Sequence, residues 1–240
     1  MSRVARGLSL VAGGAVSACS GPVRPPALPS GAGEPWRLPT LSSSTLSELF
    51  AVHSRDAGWA GFLLAQVDPA KPVLWVQDRI AILESGRVYP RALPIQDLIH
   101  VEARDARDAL WTMEEGLRCS ALSAVIGEIW GDPSALDFIA TRRLAVASER
   151  SGVAAYLIRL GGHANLSGAR MRWRIASAPS LINELDWKAP GLPAWHAELF
   201  RARGMPAGRW TVVHDGAADR FHLVAAPGDR TLGEGRRLFA

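Results

Sequence analysis

Between residues 73 and 160, four short apolar runs alternate with segments whose apolar residues have helical spacing. The runs begin at Val73, Leu98, Ala124 and Val153. In the segment 105–119, apolar residues recur at i, i+4, i+7 and i+11, which places them on one face of a helix. A second helical segment, 133–150, is followed by Gly152, a residue typical of helix ends. Strands joined by helices of this length favour a parallel sheet with both faces covered.

The segments on either side of this region complete the predicted fold. Residues 43–50 fit a short helix or a strand, and residues 57–67 fit a helix. After Gly162 the chain turns to strict alternation of apolar and polar residues, which indicates antiparallel hairpins. The alternating segments lie within 171–175, 195–203, 210–214 and 220–224. We therefore expect an α/β fold with a mostly parallel sheet flanked by helices and a C-terminal antiparallel hairpin extension.

Length and composition are compatible with one large domain that follows a proline-rich arm. The chain has 240 residues, of which 48% are hydrophobic and 21% charged, and these values are ordinary for globular proteins. Proline and glycine are concentrated in residues 20–40. We predict a flexible N-terminal arm over 1–40, a folded domain over 41–228 and a C-terminal tail over 229–240.

The first residues have two interpretations. Arg3 and Arg6 precede a weakly apolar stretch that ends at Cys19, an arrangement similar to a lipoprotein signal. Gly13 and Gly14 dilute that stretch, so a disordered or misassigned start is the preferred interpretation and an envelope lipoprotein the alternative. No apolar run reaches the roughly 18 residues that a membrane span needs, so we expect no membrane partner and a cytoplasmic protein.

A parallel core followed by antiparallel hairpins resembles the core of RecA. Some segments narrow the resemblance further, namely LWVQDR, VEARDARDALWTMEEGLR, DFIATRRLAVASERSGVAAYLIRL and ARMRWRIASAPS. On these segments the chain resembles the ImuA family, RecA relatives encoded with bacterial mutagenic-repair genes. The resemblance covers roughly residues 41–224.

The resemblance implies a role in SOS-induced translesion synthesis. Proteins of the ImuA family act with ImuB, a polymerase-like protein that lacks catalytic carboxylates, and with an error-prone replicative-type DNA polymerase subunit. They are also described as interacting with RecA. The resemblance therefore implies these three partners for the present chain.

A nucleotide-binding loop is missing where a RecA-like enzyme would carry it. Such a loop needs paired glycines and a lysine between the first strand and its helix, because backbone N–H groups and the ammonium hold the phosphates. Residues 51–59 contain neither feature, and Asp56 would repel phosphate. The chain has only two lysines, Lys71 and Lys188, and neither follows a glycine. We therefore predict that the protein is not an enzyme and binds no cofactor.

Two further positions support this prediction. Gln77 stands at the end of the second core strand, where a RecA-like enzyme places its water-activating glutamate. Asp78 would serve only in a shifted register, which leaves an ATPase with an unorthodox site as an alternative. Glu128, at the end of another core strand, would support a magnesium ion only if phosphates were bound nearby. The six histidines show no metal-ligand spacing, so no metal site is expected.

Direct DNA binding is expected to be weak or absent. The two loops with which RecA relatives grip single strands correspond here to 130–133 and 161–168. Neither offers the mix of cations and aromatic residues that a single-strand groove uses.

A basic strand is the candidate site for binding a partner. In the strand 170–175, a period of two places arginines on one face and apolar residues on the other. The candidate partner-binding residues are Arg170, Arg172, Arg174, Arg201, Arg203 and Arg209. A solvated face with no partner is the competing interpretation of the same pattern.

Three further expectations follow from single residues and from the family. Trp187 and Trp195, in proline-rich stretches, are predicted to anchor a partner. Cys119 is expected to be a small buried residue. A SulA-like inhibitor of cell division, also a RecA-related binder without a phosphate loop, stays an alternative function.

Overall fold

A computed structural model describes residues 38–216 and 220–224, apart from positions 182, 184, 185, 187 and 188. Nine strands of this part of the chain form one sheet, in the order β3-β2-β4-β5-β1-β6-β7-β8-β9. The strands are β1 (Leu46–Ala51), β2 (Val73–Asp78), β3 (Leu98–Ala103), β4 (Ala124–Trp130), β5 (Ala154–Leu160), β6 (Met171–Ala178), β7 (Ala194–Ala202), β8 (Gly208–Asp215) and β9 (Arg220–Val224). The helices are α1 (Gly58–Leu64), α2 (Arg79–Ser85), a 3-10 turn (Pro90–Ala92), α3 (Ala106–Gly116) and α4 (Phe138–Ser151).

The predicted fold class is confirmed. Strands β1 to β6 run parallel to one another, and β7, β8 and β9 continue the sheet beyond β6 in antiparallel pairing. The four predicted core strands are β2 to β5, and the segment that fitted either a helix or a strand is β1. The predicted arm and tail fall almost wholly outside the described residues.

Helices cover the two faces of the parallel part of the sheet. On the first face, α1 packs its buried residues Phe62 and Leu63 against β1 and β6. On the second face, α3 buries Met113 against β2 and β4, and α4 buries Leu144 against β1 and β5. At Gly127 in β4, any Cβ would overlap the Met113 side chain, so glycine allows α3 to lie close to the sheet. Each face therefore has its own apolar core.

Helix ends follow local signals in the sequence. Helix α4 begins at Phe138, later than the predicted 133, because the Asp137 side chain accepts a hydrogen bond from Ala140 N at 2.7 Å and caps the helix there. The helix ends at Gly152, whose φ of 76° lies in the left-handed region that favours glycine. Among the described residues, no helix is long and apolar enough to cross a membrane.

A β-bulge interrupts the pairing of β6 with β7. Arg172 lies opposite Arg201, and Trp173 lies opposite Leu199, so Phe200 is an extra residue in β7. The bulge bends the strand where the antiparallel extension leaves the helix-covered part of the sheet.

Candidate functional site

The loop that follows β1 holds a carboxylate at the start of α1. The Asp56 side chain accepts hydrogen bonds from Gly58 N at 2.8 Å, Ser177 N at 2.7 Å and Ser177 Oγ at 2.6 Å. Desolvation acts to raise the pKa of Asp56, but these hydrogen bonds outweigh it and hold the pKa below its ordinary value. A negative charge is therefore fixed at the carboxyl end of the central strand, where parallel α/β sheets commonly bind ligands.

Glu128 is buried beside this loop and is satisfied by the protein itself. Its two carboxylate oxygens accept hydrogen bonds from Trp75 Nε1 at 2.6 Å and from Gln77 Nε2 at 3.1 Å. Burial raises the pKa of Glu128 to about 7, although both hydrogen bonds act to lower it. The oxygens are held by neutral donors, and Gln77 in turn contacts His100 at 3.0 Å.

Asp78 caps a helix rather than facing a reaction centre. Its side chain accepts from Ala81 N at 2.6 Å and from Trp130 N at 3.4 Å, which places it at the start of α2. Burial raises the pKa of Asp78. A small cavity of about 250 Å³ lies between the loop after β1 and the end of α2, and its lining includes Asp56, Glu84 and Glu128. Arg55 and Arg87 also line the cavity, so its three acids outnumber its two cations and the lining offers no excess of positive charge to a polyphosphate.

A metal site is not apparent in this region. In the described part of the chain, no group of three or more histidine, cysteine, aspartate or glutamate side chains is arranged to hold a metal ion.

The six predicted arginines lie on the second face of the sheet. In the strand register, Arg172 is opposite Arg201, and both Arg174 and Arg209 are opposite Glu198, which places their side chains on one side. Arg203 N donates to the carbonyl of Arg170, so these two residues also lie side by side. The hairpin pairing thus brings the six positions together on one face.

The prediction for Arg172 is wrong, because this side chain is buried. Arg172 Nε donates to Glu48 Oε2 at 2.7 Å, and the two residues are 3% and 0% exposed. Glu48 also accepts from Ser167 Oγ at 2.8 Å and lies 3.7 Å from Arg159 Nη1. Arg159 in turn pairs with Asp132. Burial of a charge is tolerable only when it is paired in this way, so Arg172 stabilises the interior and is not available to a partner.

Arginines and phenylalanines are stacked alternately across four neighbouring strands. The Phe50 ring lies between the guanidinium groups of Arg159 and Arg172, at 5.5 and 5.3 Å from its centroid. The Phe200 ring lies between Arg172 and Arg174, at 5.3 and 4.2 Å. Contacts of this geometry are cation–π interactions, which strengthen when they are shielded from water. This arginine–phenylalanine ladder begins in the interior and ends at the surface.

The exposed end of the ladder is a basic surface with carboxylates among the arginines. Arg174 and Arg209 both pair with Glu198, at 3.2 and 2.8 Å, and Arg170 pairs with Glu149 at 2.8 Å. Arg201 and Arg203 are exposed and form no ion pair with any described residue. We call Arg174, Arg201, Arg203 and Arg209 the basic face. Because exposed ion pairs contribute little to stability, these side chains are free to exchange partners.

An open groove of about 340 Å³ adjoins the basic face. It is lined by Arg174 and Arg209 together with Val52, Ala176 and His196. No described helix covers the sheet here, and Val52 is 50% exposed. An apolar floor between arginines suits a partner that has both apolar and acidic side chains.

Trp195 and Cys119 do not lie where the sequence predicted. Trp195 is 5% exposed and packs against Phe62 and Phe221 in the first core, so its predicted role as an anchor for a partner is wrong. Trp187 lies outside the described residues. Cys119 is exposed, contrary to expectation.

Sequence reasoning missed the ion pairs that bury Arg172. A signal was present, since Glu48 and Arg159 each stand inside an apolar strand, where an unpaired charge would be costly. The stacking of Phe50 and Phe200 had no such signal, because it depends on the bulge in β7.

Comparison with known proteins gives the family. No protein-family model matches the chain. Two curated relatives do, both called Protein ImuA, from Caulobacter vibrioides strains NA1000 and ATCC 19089. Each is 34% identical over 173 residues, which covers 67% of this chain and 68% of the relative. This similarity shows that the chain belongs to the ImuA family.

Proposed function

We propose that this protein is a non-catalytic, RecA-like adaptor in SOS-induced mutagenic DNA repair. Its partners would be an ImuB-like polymerase-related protein, an error-prone replicative-type DNA polymerase subunit and RecA. The observation that carries the proposal is the Asp56 carboxylate, which is bound to Gly58 and Ser177 at the start of α1. In a RecA-like ATPase, that position must receive phosphates.

The negative charge of Asp56 is the reason why this arrangement disfavours ATP. A phosphate at the start of α1 would meet a carboxylate whose lowered pKa keeps it ionised at neutral pH. The charge could be offset by a lysine, but Lys71 precedes β2 and therefore lies at the opposite edge of the sheet from the loop after β1. Removing Asp56 would also break the two hydrogen bonds from Ser177 that tie the loop to the end of β6, and the one from Gly58 N at the start of α1.

The basic face and its groove support a role in binding proteins. They expose arginines next to Val52 and Ala176 on a sheet face that no described helix covers. The loops that would grip a single strand are short or lack cations, which supports weak direct DNA binding. Relatives called Protein ImuA suggest the mutagenic-repair setting.

Nucleotide titration tests the non-catalytic part of the proposal. ATP and Mg²⁺ at millimolar concentration should leave the melting temperature unchanged, whereas a ligand at 100 times its Kd would add about 2.7 kcal/mol. Reproducible stabilisation by ATP, or hydrolysis that is lost in Glu128→Ala, would favour the ATPase alternative.

Pull-down tests the adaptor part. The intact chain should retain an ImuB-like protein, the polymerase subunit or RecA from purified mixtures. Binding to FtsZ with none of these would favour the cell-division alternative.

A further inference from the structure

Besides the residues that face the sheet, helix α4 has a second stripe, in which three apolar residues alternate with three arginines. The buried residues of the helix, Thr141, Leu144, Ala145 and Ser148, pack on the strands. The second stripe, at i, i+3, i+4, i+7, i+8 and i+11 from Ile139, turns toward α3. It consists of Ile139, Arg142, Arg143, Val146, Ala147 and Arg150. Residues with this spacing share one side of a helix. The apolar members of this stripe are incompletely covered, and Ile139 is 66% exposed.

The stripe forms one wall of a groove between α3 and α4. The groove has a volume of about 460 Å³, and α3 contributes Glu114, with Leu117 and Arg118 just beyond its last turn. Trp111, one turn before Glu114 on the same side of α3, is 60% exposed. The floor is thus apolar, and an exposed aromatic side chain stands beside it.

Arginines line the rim of this groove. Arg143 pairs with Glu114, and Arg118 pairs with Glu115 at 3.2 Å. Arg142 and Arg150 form no ion pair with any described residue. Four arginines against one groove-lining carboxylate, Glu114, give the rim a positive charge.

We propose that the α3–α4 groove binds an acidic amphipathic helix of a partner protein. Such a helix would place apolar side chains, spaced at i, i+3 or i+4 and i+7, on Ile139, Val146 and Ala147. Its flanking carboxylates would pair with Arg142 and Arg150. Binding of an amphipathic helix along an apolar groove is a common mode of peptide recognition, and opposite charges at the rim set its orientation.

Other occupants fit the charge and the apolar floor less well. A second copy of the chain, paired symmetrically, would bring arginine against arginine. The segments of this chain outside the structure are themselves basic, with four arginines and one acid in residues 1–37 and three arginines and two acids in 225–240. A nucleic-acid backbone would satisfy the arginines but would leave Ile139 and the apolar floor without contacts.

This inference goes beyond the proposed adaptor function, because it concerns a different surface and a class of ligand that is not restricted to repair proteins. The groove lies between two helices, whereas the basic face lies on the antiparallel strands. Its test uses a synthetic peptide and no repair protein, so either idea can fail without the other.

The experiment measures binding of the full chain to a fluorescent peptide of about 16 residues, with leucines at i, i+3, i+4 and i+7 flanked by glutamates. Fluorescence anisotropy should show saturable binding that is lost with a peptide of the same composition in scrambled order. In the variant Ile139→Glu, and separately in Arg142→Glu with Arg150→Glu, the Kd should rise at least about tenfold. Ile80→Glu is the matched control, because Ile80 is 55% exposed on α2, and it should bind as wild type does.

A second measurement locates the peptide. In a Cys19→Ser protein, a dye on the exposed Cys119, next to Arg118, should change its emission when the amphipathic peptide binds. Circular dichroism and the melting temperature confirm that each variant is folded. The proposal is overturned if folded Ile139→Glu binds like wild type, or if the scrambled peptide binds equally. It is also overturned if single-stranded DNA competes for the groove, or if sedimentation shows a dimer that Ile139→Glu dissociates.

Discussion

Arg172 and Glu48 form an ion pair inside the protein, with Nε 2.7 Å from Oε2, although they are 124 residues apart in sequence. The pair joins β6 to β1 and is extended by Ser167 and Arg159. One arginine of the strand that the sequence predicted to bind a partner is thus part of the interior.

This ion pair predicts that removing Glu48 destabilises the protein more than removing Arg172. Glu48→Leu leaves Arg172 buried without a carboxylate, so we expect a loss of about 3–5 kcal/mol in the free energy of unfolding. Arg172→Met should cost less, because Glu48 keeps Ser167 and Arg159. Urea denaturation measures both. The double variant should lose less than the sum of the two single losses, and strict additivity would contradict the coupling.

The basic face predicts a binding defect without a folding defect. Arg174→Gln combined with Arg209→Gln removes two exposed charges that share Glu198, and surface changes of this kind alter stability by only about 0.5 kcal/mol. Retention of the ImuB-like protein and RecA in a pull-down should fall several-fold. Arg87→Gln is the matched control, since Arg87 also forms an exposed ion pair, with Glu102. Equal retention by both folded variants would leave the basic face as a solvated surface.

The raised pKa of Glu128 predicts that the free energy of unfolding falls as the pH rises toward neutrality. Its folded pKa of about 7 exceeds the ordinary value of 4.5, so the folded state binds a proton that the unfolded state has released between these values. Stability therefore falls across that window, by an amount on the order of 3 kcal/mol, and changes little above it. Urea midpoints at several pH values give the slope. Glu128→Gln should flatten the slope between pH 5 and 7 whatever its effect on absolute stability. An unchanged slope would assign the dependence to other groups, such as Asp78.

The burial of Leu38 predicts that a chain shortened past this residue is less stable. It is 7% exposed and belongs to the first apolar core, although it precedes the predicted domain start at residue 41. A protein that begins at residue 38 should be more stable than one that begins at 41, and Leu38→Ala should cost roughly 2–3 kcal/mol. Thermal denaturation of the three proteins checks this. Equal melting temperatures would place the domain start at 41, as the sequence indicated.

The elements most accessible to prediction were those with strong local periodicity. Strands β2 to β5 and helix α3 followed from runs and spacings within each segment. Strand β1 stayed ambiguous because its state is decided by pairing with β5 and β6, more than 100 residues later in sequence. The sequence of a short segment does not show that it will pair with strands so far along the chain.

The site was less predictable than the fold for the same reason. Period two correctly put Arg170, Arg172 and Arg174 on one side of a strand, but it says nothing about what covers that side. Arg172 is covered by Phe50 and Phe200 and paired with Glu48, and each of these comes from another strand. Only the three-dimensional structure therefore reveals whether the Arg172 side chain is exposed or buried.

The extra residue in β7 decides which side of the sheet each side chain of this strand occupies. Before the bulge, Trp195, Ala197 and Leu199 face the first core, and after it the alternation resumes one step later, with Ala202 packed on that side. Phe200 and Arg201 are thus consecutive residues that both face away from the first core, which even alternation would not allow. Deleting Phe200 would restore even alternation and leave Arg201 opposite Arg172, but the ring between Arg172 and Arg174 would be lost. The bulge therefore adds an aromatic ring to the ladder without moving any neighbouring side chain to the other face.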